Sequence, residues 1–306
     1  MNISNVIVSD EIDKKGIEIL DRNGLKVTYK PDIEKEELLK IIKDYDILIV
    51  RSRTKVLRDV IDASNLKIIA RVGVGLDNID VKYAKEKGIS VINAEEAAMS
   101  SVAELVIGLM IGLARGITKA DTSMKNGKWI KKELVGYELK GKYLGIIGVG
   151  KIGKRVGRIA KALGMNLIGY DVVQIDKEFV RETNMITADL DTLLKNADYI
   201  TLHVPLTEQT RHMLNKDKLM LMKKSAYIIN TSRGGVIDED ALYHVLKDGM
   251  IAGAALDVFE EEPPRNIELV RLSNVICTPH IGAQTKEAQE LASTIVAEKI
   301  IQKLRE

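Results

Sequence analysis

Cysteine occurs once in the 306 residues, as Cys277, so no disulfide can close within the chain. Aromatic residues are scarce at 4%, and beside abundant Lys, Glu and Ile that scarcity points to a heat-adapted composition. An excess of either charge is also missing. The 46 basic side chains nearly cancel the 44 acidic ones and are dispersed, which excludes a polyanion-binding field and makes nucleic acid an unsuitable partner. No apolar run approaches the roughly 20 residues of a membrane span. The longest, Leu105 to Ala114, is closed by Glu104 and Arg115 and reads as a buried or interface helix. Met1 to Lys15 is too acidic and too broken for a signal peptide, so a cytoplasmic location is the default. Low-complexity segments and short repeats are absent too, and nothing calls for a metal.

What is present is an alternation of short apolar strands with amphipathic helices, in a chain long enough for about two domains. In the first part, Asn5 to Val8, Lys26 to Tyr29, Ile47 to Val50, Lys67 to Ala70 and Ser90 to Ile92 read as strands. Helices are expected near Asp13 to Arg22, Lys35 to Lys43 and Val81 to Lys87. After a long helix at Ala98 to Ile117, strands near Leu144, Leu167, Tyr199, Ala226, Gly253 and Val275 predict a second, six-stranded parallel sheet. The last helix, Glu287 to Lys303, is expected to return to the first domain. The fold class is therefore α/β, with two doubly wound parallel-sheet domains and a cleft between them.

Only the second sheet carries a glycine fingerprint. Gly148-Val-Gly-Lys-Ile-Gly153 follows the strand Tyr143 to Ile147 directly and opens the helix Lys154 to Leu163, with Asp171 about 20 residues on, at the end of the next strand. Gly148 permits the tight turn, Gly150 lets backbone N–H groups reach a pyrophosphate, and Gly153 lets helix and strand pack closely, while the helix N-terminus supplies positive potential. Asp171 would accept from the ribose hydroxyls. Its charge repels a 2′-phosphate, and Val172, Val173 and Gln174 bring no arginine to neutralise one, so NAD is favoured over NADP.

Ligands of such sheets lie beyond the carboxyl ends of the strands, and four segments there hold reactive side chains. Thr231-Ser232-Arg233-Gly234-Gly235 presents an arginine that is either an exposed turn residue or a clamp for a carboxylate. Asp257 ends a strand and is followed by Glu260, Glu261 and Glu262, ordinarily a solvated acidic loop. Thr278-Pro279-His280-Ile281-Gly282 places one of only four histidines at a strand end; it is either a structural residue or, paired with a carboxylate such as Glu262, a tuned acid and base. Arg71 to Asn78 contains Gly73 and Gly75 and is either an ordinary turn or an anion nest.

Taken together, these segments resemble the D-2-hydroxyacid dehydrogenase family over nearly the whole chain. The resemblance lies in GVGKIG, in HVPLT from His203, in NTSRGGVIDEDAL from Asn230, in ALDVFEEEP from Ala255 and in TPHIGAQT from Thr278. IVRSRTKV from Ile49, RVGVGLDNID from Arg71, SMKNGKW from Ser123 and TKEAQ from Thr285 resemble the members that act on D-3-phosphoglycerate. The resemblance implies a flavodoxin-like substrate-binding domain, 1–96 with 286–306, and a Rossmann NAD-binding domain, 97–285. It implies Arg233, Glu262 and His280 as the catalytic set, and NAD as cofactor. Cofactor contacts are implied at Val74, Gly148, Gly150, Lys151, Ile152, Gly153, Asp171, His203, Val204, Pro205, Thr231, Ser232, Arg233, Asp257, His280, Gly282 and Ala283. Val74 stands where some relatives have a threonine, so only its backbone can serve. Substrate contacts are implied at Arg51, Ser52, Val74, Gly75, Arg233 and His280, with Arg53, Lys55, Lys131 and Lys132 near the phosphate.

The implied reaction is NAD-dependent oxidation of D-3-phosphoglycerate to 3-phosphohydroxypyruvate. A glyoxylate or hydroxypyruvate reductase, or another member, would share every catalytic residue, and an NAD-sensing corepressor-like protein is the alternative of another class. The chain ends at Glu306, shortly after the last helix, and a C-terminal regulatory domain with feedback inhibition is therefore not expected. A two-fold homodimer is implied around Ala98 to Ile117, where Gly108 and Gly112 share a face.

Overall fold

The computed structural model describes residues 4–306, which fall into two compact units: one runs to Ser101 and resumes at Ala283–Glu306, the other is Val102–Gly282. Each is built on one parallel sheet. In the first unit, β1 (Asn5–Val8), β2 (Lys26–Tyr29), β3 (Ile47–Val50), β4 (Ile68–Arg71) and β5 (Ser90–Asn93) pair in the order β2-β1-β3-β4-β5, the flavodoxin-like arrangement. Successive side chains leave a strand on opposite faces. Val6 and Val8 therefore pack with Ile47 and Ile49 against Val296 and Ile300, while Ile7, Leu48 and Val50 pack against Leu38, Ile42 and Ala84. Both faces are covered, which is why the central strands read as unbroken apolar runs.

The last helix, Lys286–Arg305, does pack in this unit. Thr285 caps it, accepting from the Ala288 N–H at 3.1 Å, and Ala292, Val296 and Ile300 form its buried stripe at a spacing of four. Gly16 lies so close to Ser293 that a Cβ there would overlap the serine hydroxyl.

In the second unit, β6 (Tyr143–Ile147), β7 (Asn166–Tyr170), β8 (Ile186–Thr187), β9 (Tyr199–Leu202), β10 (Tyr227–Asn230), β11 (Gly253–Leu256) and β12 (Val275–Cys277) pair in the order β12-β11-β10-β9-β6-β7-β8. That is the Rossmann order with a seventh strand. The sequence pattern leads one to expect six strands; β8 escapes it because two exposed residues carry no period. The strand order reverses between β6 and β9, and the crevice of the fold opens at their carboxyl ends.

Two boundaries differ from expectation. The long helix spans Met99–Arg115, not Ala98 to Ile117, because Gly116 takes a left-handed φ of 58° and a second helix, Ile117–Lys125, leaves at 66°. No single helix among the described residues is long and apolar enough to cross a membrane. The units change at 101/102 and 282/283 where 96/97 and 285/286 are expected. Ala97 still packs with Val72 and Ala292, whereas Ala103 and Val106 pack with Leu144, so the change of core falls inside the first turns of the helix.

Candidate active site

The fingerprint turn sits at the β6/β9 switch point. Gly148 has φ 89°, and a Cβ there would come within 2.6 Å of the His203 carbonyl oxygen and 2.9 Å of the Val204 side chain. A Cβ on Gly153 would overlap the Gly148 carbonyl oxygen, so the helix Lys151–Ala162 lies directly on the turn. Around Gly150 the space is open: a Cβ there would meet nothing within 4 Å. Its N-cap position at the start of a twelve-residue helix therefore leaves room for a pyrophosphate against backbone N–H groups. Lys151 and Ile152 follow as the helix's first residues.

Asp171 also has a structural task. One carboxylate oxygen accepts from the Val149 N–H at 2.8 Å and the other from the Val173 N–H at 3.2 Å, so the acid braces the turn as well as facing a cavity of about 720 Å³. An ionised carboxylate offers about four lone-pair sites, leaving capacity for ribose hydroxyls. The same cavity is lined by Lys177 and Arg181, brought there by the helix Lys177–Thr183. The residues directly after Asp171 hold no arginine, but the fold supplies one from further along.

The residues expected beside a nicotinamide follow the ends of β9 and β10. His203 has its pKa pushed down to about 3 by burial, and its Nε2 lies 3.1 Å from the Thr201 hydroxyl. It is a neutral wall residue. Pro205 turns the chain, its carbonyl accepting from the Thr210 hydroxyl at 2.6 Å. Thr231 is the informative one: its Oγ1 is buried and has no hydrogen-bond partner among the described residues. A lone buried hydroxyl costs about 1–3 kcal/mol unless something accepts or donates there. An amide-bearing ring would satisfy it. Together with the open space at Gly150, this fits a dinucleotide to the residues present.

The expected catalytic residues lie on loops that brace one another. At the end of β10, Asn230 is buried; its Oδ1 accepts from the Ser232 N–H at 3.0 Å and its Nδ2 donates to the Arg233 carbonyl at 2.8 Å. Arg233 itself is extended, with Nη1 donating to the Ser232 carbonyl at 2.6 Å. Gly234 admits no Cβ because the backbone of Phe259 and Glu260 runs against it. Glu239 and Glu260 then tie the two loops reciprocally: the Glu260 N–H donates to Glu239 Oε1 at 2.6 Å and the Glu239 N–H to Glu260 Oε1 at 3.2 Å. His212 adds a third contact to Glu260 at 2.9 Å. Asn230, Glu239 and His212 are absent from the expected site; only their place at strand and helix ends could have marked them.

Glu262, on the braced loop, contacts His280 Nδ1 at 2.7 Å with Oε2 and accepts from the Phe259 N–H at 3.3 Å with Oε1. The hydrogen bond from Glu262 raises the His280 pKa against the effect of burial, with the Glu262 and Asp257 charges adding to the rise and Arg233 opposing it. Burial pushes Glu262 upward, but the hydrogen bond and charge of His280 outweigh it and hold the carboxyl below its ordinary value. With Nδ1 tied to the carboxylate, Nε2 is the nitrogen left for proton exchange.

Asp257, like Asp171, has a structural task. It is fully buried, and its carboxylate accepts from the Thr278 hydroxyl at 2.6 Å and from the Ile281 and Gly282 N–H groups at 2.8 and 2.9 Å. It builds the loop that presents His280. Gly282 is buried within that loop.

The first unit brings its own polar group to the β1/β3 switch point. Arg51 N–H donates to Asp10 at 2.6 Å, its carbonyl accepts from Arg71 Nε at 3.0 Å, and its Nη2 donates to Gln284 at 2.8 Å. Ser52 is exposed beside it. Arg53 does not join them: its guanidinium donates to the Ile33, Pro31 and Ser9 carbonyls at 3.1, 2.8 and 2.6 Å and pairs with buried Asp10. Lys55, Lys131 and Lys132 are exposed. Asn93 holds the Val74 carbonyl at 2.6 Å, while the Val74 and Gly75 N–H groups have no internal acceptor among the described residues. Ala283 lines a small cavity of about 30 Å³ with Arg51 and Gly73.

Residues 107–282 match the model of the D-isomer specific 2-hydroxyacid dehydrogenase NAD-binding domain. The chain is 54% identical over 302 residues to a D-3-phosphoglycerate dehydrogenase of Methanocaldococcus jannaschii, covering 98% of itself and 57% of that relative. It thus spans little more than half the length of that relative. It is 50% identical to a hydroxypyruvate reductase of Thermotoga maritima over 98% of both chains. A D-lactate dehydrogenase of Aquifex aeolicus, solved with NAD and lactic acid, superposes with TM-score 0.87 at 29% identity, over 99% of this chain and 96% of that one. A dinucleotide fits the turn, the strand ends carry an arginine and a histidine–glutamate pair, and relatives match over nearly the full length: the chain belongs to the D-isomer specific 2-hydroxyacid dehydrogenase family, whose cofactor is NAD.

Proposed function

We propose that this chain oxidises D-3-phosphoglycerate to 3-phosphohydroxypyruvate, the entry to serine synthesis, and runs the reverse reduction through the same groups. The 2.7 Å contact of His280 Nδ1 with Glu262, on a loop braced against the Arg233 turn, supports the hydroxyacid chemistry, and the observation that carries the phosphorylated substrate is the Arg51 guanidinium, which donates to Gln284 at 2.8 Å and keeps further donors for an anion. NAD, when bound, supplies the acceptor for the hydride of substrate C2. His280 Nε2 takes the proton of the 2-hydroxyl as the carbonyl forms, and Glu262 stabilises the imidazolium that results. Arg233 holds the carboxylate and the 2-oxygen through its planar fork, and the Val74 and Gly75 N–H groups complete the carboxylate's donors. Arg51 and Ser52 take the distal phosphate. Gly148, Gly150, Lys151, Ile152 and Gly153 hold the pyrophosphate, Asp171 the ribose, and Thr231 the nicotinamide amide.

The second reading is hydroxypyruvate reduction, which the 50% identity to the Thermotoga relative favours. It uses the same acid, base and clamp and has no need of Arg51. We also propose a homodimer formed around Met99–Arg115, supported by the 85% exposure of Val135, in the segment whose Tyr137 N–H donates to the Ala114 carbonyl at 2.9 Å. NADH oxidation with 3-phosphohydroxypyruvate, hydroxypyruvate, glyoxylate and pyruvate separates the readings. The phosphorylated substrate should lead in kcat/KM by more than about tenfold; a lead for hydroxypyruvate or glyoxylate would install the reductase reading, and NADH binding without turnover would leave only a sensor.

A further inference from the structure

We infer that Gln284 determines specificity for the phosphorylated substrate by aiming the Arg51 guanidinium while leaving its charge whole. The inference rests on the proposed phosphate role of Arg51. The backbone of Arg51 is fixed on both sides: Asp10 accepts from its N–H, and Arg71 Nε and Asn78 Nδ2 donate to its carbonyl at 3.0 and 3.2 Å. That fixes where the side chain begins, not where it ends. The far end is set by Gln284 Oε1, which accepts from Arg51 Nη2 at 2.8 Å and from Gln289 Nε2 at 2.8 Å. Arginine has donors only, so the amide of Gln284 must turn its oxygen toward it, and the second donor from Gln289 locks that orientation.

Among the described residues this is the one hydrogen bond the guanidinium makes, so most of its five N–H donors stay available to an anion. The chemistry of the aiming group matters. A carboxylate at position 284 would hold Arg51 equally well but neutralise it, and a charge-assisted contact to phosphate is worth about ten- to hundredfold in binding. The acid lining the same small cavity, Asp13, has one carboxylate oxygen engaged elsewhere: it caps the helix Lys14–Arg22 by accepting from the Lys15 N–H at 2.9 Å. Gln284 stands four residues after His280 in the chain, so the segment that carries the acid–base histidine also carries the residue that selects the substrate.

The test compares kcat/KM for 3-phosphohydroxypyruvate and hydroxypyruvate in the wild type, Gln284→Glu, Gln284→Met and Gln289→Met, with NADH affinity followed by fluorescence as a check on folding. The ratio should fall about tenfold or more in Gln284→Glu and less in the two methionine variants, with the loss in KM for the phosphorylated substrate and kcat little changed. A wild type that prefers the phosphorylated substrate, beside a Gln284→Glu protein with the same ratio, overturns this inference and leaves the proposed function standing. A wild type without the preference overturns both. A loss spread over kcat with both substrates would make Gln284 merely structural.

Discussion

The two sheets follow one plan and end in different chemistry. At the switch point of the seven-stranded sheet the chain offers bare backbone: Gly148 and Gly153 let the turn and the helix lie against neighbouring backbone, and Gly150 leaves the helix start facing open space. At that of the five-stranded sheet it offers side chains, and buried Asp10 organises Arg51, Arg53 and Thr54 around one carboxylate. In the proposed function a pyrophosphate common to every dinucleotide would be met by backbone, which cannot vary. A substrate that differs among relatives would be met by side chains, which can.

The contrast breaks most sharply at the glycines. Gly150→Ala should fold normally, since its Cβ meets nothing and its φ of −76° suits alanine, yet raise the NADH dissociation constant about hundredfold in a fluorescence titration. Gly153→Ala should instead lose about 1–3 kcal/mol in denaturant unfolding, because its Cβ overlaps the Gly148 carbonyl. If both variants lose affinity alone, the helix has more slack than described. Next in size, Glu262→Gln should lower kcat about tenfold or more and move the His280 limb of the pH–rate profile to lower pH, since Glu262 is what raises that pKa. In the wild type, the stability tied to raised His280 is fully present below its unfolded pKa and is lost as pH rises through the folded one. That tied to lowered Glu262 is lost as pH falls through its own folded value, so the pair stabilises the fold between the two and an unmoved profile would dissolve it.

On the side-chain half, Arg51→Met should raise KM for the phosphorylated substrate about tenfold with the melting temperature unchanged. Arg53→Met should do the reverse, lowering the melting temperature by a few degrees, roughly 1–2 kcal/mol, because three carbonyls and Asp10 lose their partner. The smallest effect belongs to Thr231→Val. Removing a hydroxyl that has no partner among the described residues should leave the free chain as stable or more so, while weakening NADH binding about fivefold; equal binding would mean the hydroxyl plays no part.

How much of this was legible in the sequence follows the same divide. The glycine turn could be read because each glycine answers a backbone demand that leaves a fixed spacing. The sheets could be read from apolar runs, except β8, where pairing along the edge needs no apolar residue. Side-chain sites were legible only by type. Arg51 and Arg53 are two residues apart and chemically alike, and only the structure shows one aimed by a glutamine and the other sunk into carbonyls. Asp257 was legible only as a strand-end acid, and the three hydrogen bonds by which it builds the His280 loop carry no sequence signal.

That loop holds His280 at φ 52°, a left-handed backbone that asparagine, aspartate and histidine tolerate better than other residues with a side chain. A replacement therefore tests two things at once. His280→Ala removes the imidazole and also places an ill-suited residue in a strained turn, so its loss of rate would mix chemistry with distortion. His280→Asn keeps the turn's preference and removes only the proton carrier, and is the cleaner control. The same geometry narrows what drift can do at this position: a mutated lineage that lost the reaction would be expected to retain asparagine or aspartate there, leaving a shape that records the vanished base.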